Sequence, residues 1–228
     1  MPLKQPLPAA PERFAVAQKG DRFLLAWDIP RYNQQGTALT DLEGFKIYKM
    51  TYDPVRDCPE CRDTSILLRQ VSLEYLQEVH RSGDRLYLWD ADLEPGFGYQ
   101  YKVVPYNRSG RDGAPVQERR LFLSSPLPPQ KFAATGHDRL VRLRWEAVVD
   151  ERQGVEPLGY RVYRWQTGTP LFLKPITLEF LGETSYEDFD LKNGQTYFYA
   201  VSTVVRIQGN VVESALSQTV EAVPREGQ

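Results

Sequence analysis

Cysteine, histidine and methionine are each present only twice in 228 residues. So little sulfur excludes a disulfide-built scaffold. It leaves Cys58-Pro59-Glu60-Cys61 as the single motif with covalent chemistry to offer. His80 and His137 are isolated, and neither stands with a motif-placed nucleophile or at a metal-ligand spacing. A charge excess is also missing. The formal net charge is −2, so there is no basic field for nucleic acid or an anionic membrane. No apolar run approaches the roughly 20 residues of a membrane-spanning helix. The start, Met1-Pro2-Leu3-Lys4-Gln5-Pro6-Leu7-Pro8, lacks the apolar core of a signal peptide. Its prolines make residues 1–11 read as a disordered or polyproline-like tether.

Aromatic residues are plentiful: 13 Tyr, 10 Phe and 4 Trp. With the many valines they favour strands. One stretch recurs. Leu93-Glu94-Pro95-Gly96-Phe97-Gly98-Tyr99-Gln100-Tyr101-Lys102-Val103 returns as Leu191-Lys192-Asn193-Gly194-Gln195-Thr196-Tyr197-Phe198-Tyr199-Ala200-Val201. Each copy is a glycine turn followed by Tyr-x-Tyr-x-Val, whose period of two makes a strand with one buried face. The first Tyr of each, Tyr99 and Tyr197, matches a tyrosine corner, where the ring packs and the hydroxyl bonds to nearby backbone.

The rest of the chain repeats with it. Phe23 to Trp27 alternates, and Val141-Arg142-Leu143-Arg144-Trp145 matches it. Gly44-Phe45-Lys46-Ile47-Tyr48-Lys49 is matched by Gly159-Tyr160-Arg161-Val162-Tyr163-Arg164. The two copies flank Ser124-Ser125-Pro126-Leu127-Pro128-Pro129, a short, proline-stiffened linker over 125–130. Pro105 cannot donate to a ladder, so pairing is expected to weaken there. Strands at this spacing argue an all-β sandwich, twice.

A Trp on the second strand, Gly-Phe/Tyr-x-Ile/Val-Tyr on the third, Leu-(turn)-Tyr before the sixth and Glu213-Ser214-Ala215-Leu216-Ser217 near the last resemble fibronectin type III domains. The resemblance implies two consecutive immunoglobulin-like β-sandwiches, over 12–124 and 131–224, with Trp27, Tyr99, Trp145 and Tyr197 in the cores. The Trp-to-Tyr spacing is 72 residues in the first copy (27 to 99) and 52 in the second (145 to 197). An inserted loop around 51–80 accounts for the excess, and it leaves the strand path between Met50 and Leu86 open.

Cys58 and Cys61 lie in that insertion. Three readings stand: a small disulfide or idle thiols, half of a shared metal site, or a redox pair. Asp57, Glu60 and Asp63 disfavour the thiolate a redox site needs. Gly110-Arg111-Asp112-Gly113 has the wrong order for an Arg-Gly-Asp adhesion tripeptide and reads as a solvated turn. No catalytic set, cofactor motif or metal site is read.

If Tyr160 and Val162 face the core, strand alternation turns Arg161, Tyr163 and Trp165 outward. Phe198 joins them from the adjacent strand, and Tyr48 and Met50 are the first-copy equivalents. These residue types anchor protein interfaces. The opposing reading is that Leu171-Phe172-Leu173-Lys174-Pro175-Ile176, or the other domain, covers them. The expectation is a non-catalytic module binding an unidentified protein through strand faces and the interdomain junction. The alternatives are a passive spacer, a carbohydrate-binding module stacking sugars on aromatics, or a Cys-x-x-Cys protein. The family resemblance and the cysteine pair imply an extracytoplasmic setting, such as the periplasm, an outer-membrane lipoprotein or the cell surface.

Overall fold

The computed structural model describes residues 6–168 and 174–227. The chain divides into two units, 1–17 with 22–123, and 18–21 with 124–228. The elements are all strands: β1 (Glu12–Lys19), β2 (Arg22–Asp28), β3 (Leu42–Tyr52), β4 (Ile66–Ser72), β5 (Val79–Ser82), β6 (Arg85–Asp90), β7 (Gly98–Asn107) and β8 (Val116–Leu121) come first. They are followed by β9 (Ala133–His137), β10 (Leu140–Arg144), β11 (Val155–Trp165), β12 (Ser185–Asp188), β13 (Tyr197–Ile207), β14 (Asn210–Glu213) and β15 (Val220–Ala222).

In the first unit, the sheet order β1-β2-β6-β5 faces β4-β3-β7-β8. Alternation supplies the core from both sides: Phe23, Leu25, Trp27, Leu86 and Leu88 meet Phe45, Ile47, Tyr99, Tyr101 and Val103. Trp27 is wholly buried and packs edge-on against Phe45, with ring centroids 5.7 Å apart. Burying a side chain of this size contributes about 3 kcal/mol. The unit is thus an immunoglobulin-like β-sandwich. The insertion resolves into two strands, one for each sheet: β4 pairs with β3, and β5 pairs with β6.

The stretch that leads from the end of β3 to β4, 51–65, is tied to the outer side of β7 and β8. Arg119 donates to Glu60 Oε1 at 2.7 Å and to the Pro59 carbonyl, and Lys102 donates to Asp63 at 2.6 Å. Met50 and Gln100, which alternation turns away from the core, are 2% and 3% exposed. The outward reading of Met50 is therefore corrected: the anchored insertion lies along that face of the sheet.

Two further expectations change. Residues 6–11 are not a free tether: the Pro8 carbonyl accepts from Ala114 N–H, and Ala9 N–H donates to the Tyr32 carbonyl. Residues 1–5 lie outside the described residues. Pairing does not stop at Pro105, because β3 runs on beside it to Leu42↔Asn107. Only the β8 ladder ends early, at Val103↔Val116.

The second unit stacks β12-β10-β9 on β11-β13-β14, with β15 also on β13. Its core joins Phe132, Val141, Leu143 and Trp145 to Tyr160, Val162, Tyr197, Tyr199 and Val201. It too is an immunoglobulin-like sandwich. Between β14 and β15 the Ser-x-x-Ser pair substitutes for a ladder. Ser214 Oγ accepts from Thr203 N–H at 2.9 Å, and Ser217 Oγ accepts from Val201 N–H at 3.1 Å. Residues 18–21 group with this unit because Gln18 and Lys19 pair in parallel with Val212 and Glu213. The expected start of the second domain at 131 omitted them.

Candidate functional site

Both tyrosine corners form. Tyr99 Oη accepts from Glu94 N–H at 2.6 Å, and Tyr197 Oη accepts from Lys192 N–H at 3.1 Å. Two residues further on, each sandwich holds a buried polar cluster that the sequence reading missed. Tyr101 donates to Asp90 at 2.5 Å, and Lys49 sits 2.9 Å from the same carboxylate. Lys49 and Asp90 are 7% and 3% exposed in their side chains. In the second unit Tyr199 donates to Asp188 at 2.7 Å, and Arg164 reaches both Asp188 oxygens at 2.9 Å. Burial pushes the Tyr101 and Tyr199 hydroxyls far above the ordinary phenol range, and the adjacent carboxylates push the same way. The signal was present in the repeat: each Asp stands 11 residues before its Tyr.

The predicted outward face of β11 and β13 separates into two parts. Tyr163 is 1% exposed, so its assignment to a partner surface is corrected. Its hydroxyl donates to Glu213, which also accepts from Ser202 at 2.7 Å, Lys19 at 2.9 Å and Arg161 at 3.2 Å. Burial alone would raise the Glu213 carboxyl. Lys19, the Ser202 and Tyr163 hydroxyls outweigh it and hold the group below its ordinary value. Burial lowers the Lys19 ammonium in turn. Arg161 is half-buried, spends one N–H on Glu213 and lies over the Phe180 ring at 4.9 Å. Glu213 is 3% exposed. The cluster is closed to a substrate and acts as an ionic clamp on the outer face of the strands.

The second part is aromatic. Trp165 and Phe198 are paired across the strands, half-buried, and stacked with centroids 5.9 Å apart and planes at 18°. Tyr48 is half-buried in the first unit beneath Lys102, 5.2 Å from its ring centre. Leu171-Phe172-Leu173, invoked as a cover, lies outside the described residues. Ile176 packs against the core, and its N–H donates to the Val162 carbonyl. Trp27, Tyr99, Trp145 and Tyr197 all lie within the cores, none more than 6% exposed.

Cys58 and Cys61 are joined by a disulfide and both are exposed. Asp53 shapes the approach, since its carboxylate accepts from Val55 N–H at 2.8 Å. Among the described residues, no group of three His, Cys, Asp or Glu side chains is placed to hold a metal ion, and no helix is long and apolar enough to cross a membrane. Asp112 of the Arg-Asp-Gly turn is paired with Lys46 at 2.7 Å.

No protein-family model matches the sequence, and no curated protein matches it. Among solved structures the chain is similar to the crystal structure of chicken CNTN1 FN1-FN3 domains. Identity is 16% and the TM-score 0.37, over 96% of this chain and 69% of that one. The assignment of two immunoglobulin-like sandwiches rests on the strand order and the two cores themselves.

Proposed function

We propose that the chain is a non-catalytic interaction module built from two fibronectin type III-like sandwiches, and that it binds a protein partner through the strand face bearing Trp165 and Phe198. The observation that carries this reading is the stacked, half-buried pair itself. The two rings lie where β11 ends and β13 begins, away from the core, on a continuously paired strand ladder. Aromatic anchors on such a support bind at low entropic cost. Arg161, half-buried beside Glu213 and the Phe180 ring, would flank the contact. Tyr48 offers a comparable half-buried ring in the first unit.

The exposed Cys58–Cys61 disulfide supports an oxidising, extracytoplasmic setting, where such bonds persist. One observation favours the alternative of a passive spacer. Tyr163 is consumed inside the chain, as a protein that only separates its neighbours would require. The test is cross-linking capture from an extract of the native source, with wild type beside Trp165→Ser. A defined protein captured by wild type and lost in the variant supports recognition by this face. Capture of nothing specific by either leaves the spacer as the better account.

A further inference from the structure

The outer face of the β12-β10-β9 sheet presents a second, independent site. Strand alternation puts Arg142 and Arg144 on the same side of β10. The register Arg142↔Glu187 and Arg144↔Ser185 brings those two partners beside them, and Phe189 follows just past the end of β12. With Tyr186, these side chains line a shallow cleft of about 720 Å³. Arg142 donates to Glu187 at 2.8 Å. Arg144 is exposed, and its guanidinium has no hydrogen bond or ion pair among the described residues. Phe189 is 60% exposed and leaves an apolar ring open beside these polar groups.

We propose that this cleft binds an acidic sugar, a uronate unit of a polysaccharide. The set is mixed in a way that selects such a ligand. Arg144 offers a planar fork for one carboxylate. Ser185 donates or accepts, and Glu187 retains lone pairs for sugar hydroxyls. Phe189, four residues along the chain from Ser185 and so about 13 Å away, supplies an apolar face for the C–H side of a neighbouring ring of the polysaccharide. A dense polyanion fits less well, because only one of the two guanidiniums is uncompensated and the Glu187 carboxylate repels added negative charge. An acidic peptide would use Arg144 and leave Phe189 without a role.

The experiment is an amide NMR titration of the full chain with trigalacturonate, beside maltotriose and triglutamate. Saturable shifts confined to Ser185, Glu187 and their strand neighbours are expected with trigalacturonate. Affinity should fall about tenfold in Arg144→Gln and again in Phe189→Ala, which is the loss of one charge-assisted contact or one stacking face. Maltotriose should bind at least about tenfold more weakly than the uronate. Both substituted side chains are exposed, and unchanged signals from the Trp145 core show that the fold is intact. No saturable shift overturns the proposal. So does triglutamate binding as well as trigalacturonate with Phe189→Ala unaffected, which assigns the cleft to acidic peptides.

Discussion

Replacing Lys49 by Met should be among the most damaging single changes available in the first unit, although it adds no volume and removes no core residue. Lys49 and Asp90 are both nearly wholly buried and 2.9 Å apart. Without the ammonium, Asp90 keeps only neutral partners, the Tyr101 hydroxyl and Asp92 N–H. An uncompensated buried carboxylate costs about 3–5 kcal/mol. With a urea slope of about 2 kcal/mol per molar, that is a fall of about 2 M in the midpoint. The double variant Lys49→Met/Asp90→Asn removes the charge and keeps an acceptor for Tyr101. It should recover at least about 2 kcal/mol of the loss. Hydrogen exchange on β3 and β7 peptides, read beside urea melts, assigns the change to the first unit. Equal destabilisation of the single and double variants would refute the reasoning, since packing rather than unpaired charge would then be the cause. The matching change in the second unit, Arg164→Met, should cost less. The Arg164 side chain is 34% exposed, so water can reach the carboxylate it leaves.

Three further outcomes are expected. Tyr99→Phe and Tyr197→Phe each orphan one backbone N–H and should lower stability by about 1–2 kcal/mol in urea melts, with ring packing retained. Gly159→Ala should destabilise more than Gly194→Ala in the same assay: Gly159 has φ +125° and a Cβ would stand 2.3 Å from the Leu181 carbonyl oxygen, whereas Gly194, at φ +79°, has open space. Acid should loosen the segment 51–65 before either core. Lys102, then the Ser65 N–H, holds the Asp63 carboxyl below its ordinary value. A depressed folded pKa gives stabilisation that is complete above about pH 4 and lost as pH falls through the folded value. Hydrogen exchange corrected for intrinsic rates should therefore show 51–65 opening at low pH while β3 and β7 stay protected. Asp63 is half exposed, so the effect is local.

The repeat made the fold legible. Period-two alternation over Phe23 to Trp27 and over Tyr99 to Val103 depends only on which side of a strand is apolar, and local pattern carries that information. The tyrosine corners were legible for the same reason, since turn and ring are five residues apart. The candidate surface was read half correctly. Alternation does turn Arg161, Tyr163 and Trp165 to one side, but facing away from one core is not the same as facing water.

The amino-acid sequence by itself determined two sandwiches, their core aromatics and the glycine turns, because each follows from neighbours within a few residues. Tertiary structure alone decided what covers the outer faces. Glu213 lies 50 residues from Tyr163 and 194 from Lys19, and closes over the tyrosine only after the strands have paired. The insertion likewise lies along Met50 and Gln100 through ion pairs spanning 59 and 39 residues. Contacts at such separation leave no periodicity in the chain, so which outward residues remain open to a partner is settled by folding rather than by pattern.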